Sequence, residues 1–272
     1  MTHEDIQTIE LGLRGQLRLR LKAEGPAFGI PVHALHSGHS SLFNNPIDVM
    51  AQCICAIKEG SEIKIPLFFE DVEPPNIEEL SLLDQSGDFF NTLVSSYDKR
   101  LSSSEKDHRG FLYGMFFEPN INLSAIRSGA TGEEIRLVPN TASLNLDISL
   151  VPGQKADQIL NCTQDYLRER GFGQMSIEVL AMREPYRTDP SHAFAQEVIS
   201  LSSESYAKPP IILPSSASSG PPAIIPNNLN IPMIRIGTAY RGLAHCPDEY
   251  IMIEQYQDYV DFAELLLSRL KD

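Results

Sequence analysis

Gln16–Lys22 reads QLRLRLK, a strict alternation of polar and apolar side chains. A period of two puts every second side chain on one face, which predicts a half-buried β-strand. Working outward, Pro46–Lys58 predicts a helix. Pro stands in its first turn, Ile47, Met50, Ala51, Ile54 and Ile57 recur at helical spacing, and Gly60 stops it. Pro119–Arg127 (PNINLSAIR) and Thr141–Val151 (TASLNLDISLV) predict two further strands, the second alternating at Leu144, Leu146, Ile148 and Leu150. Pro152-Gly153 turns the chain. Ala156–Arg170 then predicts a helix with Ile159, Cys162, Tyr166 and Leu167 on one face, stopped by Gly171, and Met175–Met182 a last strand. The order strand, helix, strand, strand, helix, strand is the ferredoxin-like βαββαβ pattern, an α+β fold with two helices on one face of the sheet and the other face open. It fills Gly15 to about Arg183, with an insertion after the first helix.

The flanking sequence reads less regularly. Gly25–Ser41, rich in Gly, Ser, His and Pro, reads as loop, and Asn76–Arg109 as one or two short helices with mobile connections. REPYRTDP (Arg183–Pro190) reads as a linker. Ser191–Ala207 predicts a helix, SSASSGPP (Ser215–Pro222) a loop of small residues, Ile231–Ile236 an apolar strand, Arg241–Glu249 a polar loop and Gln255–Leu270 a closing helix. Asp248 and Glu249 suit the start of that helix, where acids complement its dipole. This tail has an α/β pattern with too few strands for a sheet of its own, and so reads as part of a domain.

Composition narrows the class of function. The 272 residues are 42% hydrophobic and 21% charged, which excludes a disordered chain. Lys and Arg total 22 against 36 Asp and Glu, a net charge of −14. Such a chain repels phosphate backbones and anionic lipid, so neither nucleic acid nor membrane is an expected partner. No apolar run approaches the ~20 residues of a membrane span. The N-terminus lacks the basic-then-apolar pattern of a secretory signal. The cysteines, Cys53, Cys55, Cys162 and Cys246, match no zinc-ligand spacing, and we read a reducing, cytoplasmic compartment.

Three stretches could carry chemistry. His33, His36 and His39 lie in one loop and could bind a metal or polarise a carbonyl, or simply form an exposed polar loop. His245, in GLAHCPDEY, falls between an apolar strand and the closing helix, where a neutral imidazole could ligate zinc or stand as a surface side chain. Ser218–Gly220 could offer backbone N–H groups to an anion. There is no phosphate-loop fingerprint and no Gly-x-Ser-x-Gly elbow. His3-Glu4-Asp5 spells H-x-D by chance.

Taken together, several strings line up in order with one family: LGLRGQL (Leu11–Leu17), LHSG (Leu35–Gly38) followed by NNP (Asn44–Pro46), EIKIPLFFEDV (Glu62–Val72), VPNTA (Val138–Ala142), LVPGQ (Leu150–Gln154), SSGPP, and AHCPDE (Ala244–Glu249). The chain resembles the dizinc peptidases that include carnosinase-like dipeptidases, aminoacylases and carboxypeptidase G, peptidase family M-twenty. The resemblance implies an α/β phosphorylase/hydrolase-like catalytic domain that holds two zinc ions and is interrupted by a dimerising ferredoxin-like lid. Residues 12–183 would form the lid, with the insertion at about 62–115. Residues 1–11 and 184–272 would belong to the catalytic domain.

Residue by residue, the resemblance puts the lid histidine that stabilises the oxyanion in the neighbouring subunit's site on His36. It puts the last metal ligand on His245, and contacts to the substrate's carboxylate end on Ser219 and Gly220. The lid Arg that usually precedes LVP is Ser149 here, and Arg136 is the candidate to replace it as a carboxylate clamp. The family's H-x-D motif, bridging Asp and Glu-Glu pair have no counterpart in these residues. The expectation is the C-terminal portion of a metal-dependent dipeptidase or N-acyl-amino-acid hydrolase, a homodimer acting on peptides or N-acyl amino acids. Alone it should bind zinc weakly and be inactive. The alternatives are a non-catalytic dimerisation or assembly protein derived from such an enzyme, and a degenerate product that exposes Phe262, Leu265 and Leu266.

Overall fold

The computed structural model describes residues 7–31, 35–87, 89–91, 108–129, 136–206, 208–237, 241–242 and 247–270. In chain order its principal strands are β1 (Thr8–Glu10), β2 (Gly12–Glu24), β3 (Leu35–His36), β4 (Asn120–Ser128), β5 (Leu137–Val138), β6 (Thr141–Leu150), β7 (Ser176–Arg183), β8 (Tyr186–Arg187), β9 (Ile211–Leu213), β10 (Ser216–Ser219) and β11 (Arg235–Ile236). The principal helices are α1 (Pro46–Ile57), α2 (Ile77–Gln85), α3 (His108–Phe117), α4 (Ala156–Leu167), α5 (Ala193–Ser205) and α6 (Ile253–Arg269). None of the described helices is long and apolar enough to cross a membrane. The chain divides into two compact units. One comprises Gly15–Glu73 and Pro119–Pro185; the other comprises Met1–Arg14, Pro74–Glu118 and Tyr186–Asp272.

The first unit is built on the alternating strand. From Gly15 onward β2 pairs antiparallel with β6 on one side and with β7 on the other, and β6 pairs antiparallel with β4. The spatial order is therefore β7-β2-β6-β4. Leu17, Leu19, Leu21 and Ala23 of β2 and Ala142, Leu144, Leu146, Ile148 and Leu150 of β6 share one buried face. Met50, Cys53 and Ile57 of α1 and Ile159, Tyr166 and Leu167 of α4 pack on it. The opposite face is polar: Arg18 pairs with Asp147 at 2.7 Å, and Arg20 and Lys22 both reach Glu178. Helix α1 starts because Asn45 accepts from the Ile47 amide at 2.9 Å and Pro46 needs no donor there. Helix α4 ends in a five-residue widened turn, Arg168–Phe172, in which Gly171 adopts φ 89°. Gly153, in the Pro152-Gly153 turn, has φ +91°; a Cβ there would lie 1.9 Å from the Asp71 carbonyl oxygen.

The second unit is assembled from three separated stretches of sequence. β1 lies between β9, parallel to it (Thr8↔Ile211), and β11, antiparallel to it (Glu10↔Arg235). Ile9 and Leu11 pack with Ala195, Val198 and Leu201 of α5 and Phe262 of α6. A second cluster joins Leu83 of α2, Leu112, Phe116 and Phe117 of α3, and Leu213. The first residues of β2 pair with β8 (Leu13↔Tyr186, Gly12↔Arg187) and with β10.

Several expectations need correction. Gly25–Ser41 is not simply loop: 3-10 turns occupy Gly25–Phe28 and Ser37–Leu42, flanking β3. REPYRTDP is not a free linker, because β8 lies within it and Arg187 is buried against Glu79 at 2.8 Å. The strand predicted over Ile231–Ile236 shrinks to its last two residues. Asp248 and Glu249 do not open the last helix. Tyr250–Ile251 first pairs with Arg241–Gly242, and α6 begins at Ile253. In that helix Phe262 is buried and Leu266 packs against the core, so the helix has an occupied face.

Candidate functional site

In the first unit, the short pair β3–β5 determines what surrounds His36. Leu35 faces Val138 and His36 faces Leu137, and the Ser37 amide donates to the Arg136 carbonyl at 2.9 Å. Two residues a hundred positions apart thus become neighbours on one rim. Both are exposed. The His36 side chain caps the 3-10 turn that follows it: Nδ1 accepts from the Gly38 amide at 3.1 Å. A neutral imidazole that accepts at Nδ1 carries its proton on Nε2. The cap therefore leaves Nε2–H as the outward donor, which suits a group that must meet negative charge on a ligand oxygen. Gly38 fits because a Cβ there would press to 3.1 Å on His36 Nδ1.

In the second unit, Ser219 and Gly220 are half-buried at the end of β10, which runs parallel to the start of β2 with Ser216 opposite Leu13 and Ser219 opposite Arg14. The surrounding polar network includes a residue that the sequence reading missed. Arg235 stands directly across from Glu10 and donates from Nε to its carboxylate. Its Nη1 reaches Ser218 Oγ at 2.9 Å and its Nη2 reaches Ser216 Oγ at 3.0 Å. The signal was an Arg as the single charged residue in the apolar run IPMIRIG (Ile231–Gly237).

Arg14, the strand neighbour of Ser219, is buried and donates to the carbonyl oxygens of Met115 and Glu118. Burial pushes its guanidinium down to about 10, opposed by the nearby Glu118 carboxylate. It ties the start of β2 to the end of α3.

His245 and His33 lie outside the described residues. Among the described residues no three His, Cys, Asp or Glu side chains converge to hold a metal ion. A zinc site needs three or four such ligands. The residues described here do not make that set. One cavity of about 470 Å³ opens in the first unit between the start of α1 and the end of α4, lined by Phe28, Phe43, Asp48, Arg170 and Phe172 among others. It includes none of the expected site residues.

The first unit is thus an antiparallel sheet backed by two helices, with an exposed histidine that caps the 3-10 turn Ser37–Leu42. Residues 11–174 match the peptidase dimerisation domain, which is more than half of the chain. The chain belongs to the M20 peptidase family that carries this domain. Enzymes of this family are metal-dependent, generally with zinc.

Solved structures share the fold. An M20 metallo-carboxypeptidase from Sulfolobus solfataricus superposes with a TM-score of 0.86 at 24% identity, covering 96% of this chain and 60% of its own. The di-peptidase Dug1p from Saccharomyces cerevisiae gives 0.75 at 15% identity, covering 98% and 56%. Human carnosine dipeptidase 1 gives 0.74 at 15%, covering 98% and 57%. This chain thus spans little more than half the length of the proteins it matches. Among curated proteins no sequence match is found.

Proposed function

We propose that the chain supplies the dimerising lid and the C-terminal part of the catalytic domain of a metal-dependent dipeptidase or N-acyl-amino-acid hydrolase. In this reading the lid pairs two copies through the first unit. His36 Nε2–H donates to the oxyanion of the neighbouring subunit's substrate, where charge develops only as the tetrahedral species forms. Arg136 and the Ser219–Gly220 segment hold the carboxylate end of a peptide or N-acyl amino acid. His245 provides the final metal ligand of a zinc site whose other ligands come from further polypeptide, and the compartment is the cytoplasm.

The observation that carries the reading is the match of residues 11–174 to the peptidase dimerisation domain. Two features of the structure support its details. The β3–β5 pair sets His36 and Arg136 side by side on one rim. The second unit leaves Ile224, Leu229 and Ile253 exposed, as a domain edge completed by more polypeptide would. The test is light scattering of the purified chain at micromolar concentration, followed by dipeptide hydrolysis with added zinc. The expected result is twice the chain mass and no turnover. A monomer at all concentrations would overturn the lid assignment, and chelator-sensitive hydrolysis by the chain alone would overturn the division of the metal site.

A further inference from the structure

We propose that the cavity between the start of α1 and the end of α4 binds a free amino-acid zwitterion with an apolar side chain. It lies wholly within the first unit and shares no residue with the His36–Arg136 rim or the Ser219–Gly220 segment. It stands independently of the function proposed above.

The cavity measures about 470 Å³, within the ~300–1,000 Å³ of small-molecule sites. Its apolar lining comes from three phenylalanines. Phe28 and Phe172 are half-buried and packed against the sheet–helix core, so their rings are held while part of each stays open to the cavity. Phe43 ends the 3-10 turn Ser37–Leu42 and supplies the third ring. Gly171, at φ 89°, lets the widened turn after α4 bring both Arg170 and Phe172 to the cavity.

Two opposite charges line the same space. Asp48 stands in the first turn of α1, with Gln52 one turn further along the same face. The Arg170 guanidinium lies 5.1 Å over the Tyr166 ring, and the Tyr166 hydroxyl donates to the Ala56 carbonyl at 2.9 Å. Stacking steers the guanidinium without consuming its N–H donors. Among the described residues neither Asp48 nor Arg170 has an ion-pair partner.

Those charges decide the class of ligand. A lone anion is drawn by Arg170 and repelled by Asp48. A lone cation meets Arg170 and the positive end of α1. An amino acid answers both. Its carboxylate takes the planar fork of Arg170, its ammonium takes Asp48, and its side chain lies against the rings.

The experiment titrates the isotope-labelled full chain with L-phenylalanine and follows the backbone amide resonances of Gly171 and Gly173. N-acetyl-L-phenylalanine and L-phenylalaninamide, each lacking one of the two charges, are the comparison ligands. Phenylalanine should move both resonances saturably. Each comparison ligand should bind about tenfold or more weakly, the loss of a hydrogen bond between charged groups. Asp48→Asn should weaken phenylalanine by a similar factor and erase its advantage over the N-acetyl compound, while its advantage over the amide remains. Arg170→Gln should do the reverse. Both side chains are exposed, so the variants leave the core intact.

Absence of a saturable response at Gly171 and Gly173 overturns the proposal, as does a response confined to Ser219 and Gly220. Equal binding of phenylalanine and either comparison ligand overturns the zwitterion. Discrimination that survives unchanged in either variant overturns the roles of Asp48 and Arg170.

Discussion

Arg187→Met should destabilise the second unit far more than its place in a supposed linker suggests. The Arg187 and Glu79 side chains are 8% and 3% exposed, and Nε meets the carboxylate at 2.8 Å. The same carboxylate accepts from the Asn76 amide at 2.8 Å, which closes the capping box of α2. Arg187 also reaches the Pro74 carbonyl and lies 5.8 Å over the Phe117 ring. Removing one partner strands a carboxylate in the interior, at a cost of about 3–5 kcal/mol. At about 1.36 kcal/mol per factor of ten, that is roughly a hundredfold to a few thousandfold. Amide hydrogen exchange across Ile77–Gln85, read by mass spectrometry, should accelerate by that factor, with parallel loss in urea titration. The double variant Glu79→Leu/Arg187→Met removes both charges and should recover at least half of the loss. A change below about 1 kcal/mol in Arg187→Met, or strictly additive losses in the double variant, would refute the reasoning.

Three further outcomes are expected. Gly153→Ala should cost about 3 kcal/mol or more in denaturant titration, because it combines left-handed backbone strain with a collision against the Asp71 carbonyl; a neutral result would contradict the turn geometry. Native alkylation at pH 8 with peptide mapping should modify exposed Cys55 and spare Cys53, whose thiol burial pushes up to about 12; equal labelling of the two would show that α1 does not bury Cys53. Asp189 accepts from the Ser191 hydroxyl and amide, which hold its carboxyl below the usual carboxylate range. A depressed folded-state value means that its contribution is complete above the ordinary carboxylate pKa and is lost as pH falls through the lowered one. Asp189→Asn should therefore flatten the acid end of the stability–pH curve, and an unchanged acid limb would exclude this contribution.

The elements of the first unit were legible because each declares itself locally. QLRLRLK alternates, Asn45-Pro46 starts a helix, and Gly171 stops one. What escaped is what depends on remote pairing. The nearness of His36 to Arg136 comes from two-residue strands too short for any periodicity. Arg235 shows only as a lone charge in an apolar run until β1 brings Glu10 beside it, 225 positions away. REPYRTDP has the composition of a linker, and Arg187 is drawn inward by Glu79 in a capping box whose start the sequence reading had left undivided. The last helix starts at Ile253, two residues before the expected Gln255, directly after Tyr250–Ile251 pairs with Arg241–Gly242, a contact of two-residue strands with no periodicity to read.

The pairing of Thr8 with Ile211 and of Glu10 with Arg235 also has a meaning in time. A ribosome delivers the chain from its N-terminus, and domains fold as units once their last segment emerges. The first unit holds everything it needs by Pro185. The second cannot close its sheet until Arg235 appears, nor cover Ile9 and Leu11 until Phe262 follows. During synthesis Ile9 and Leu11 must wait while the unit encoded between them and their partners is already folded. The first unit can therefore complete its own sheet with β1 still open.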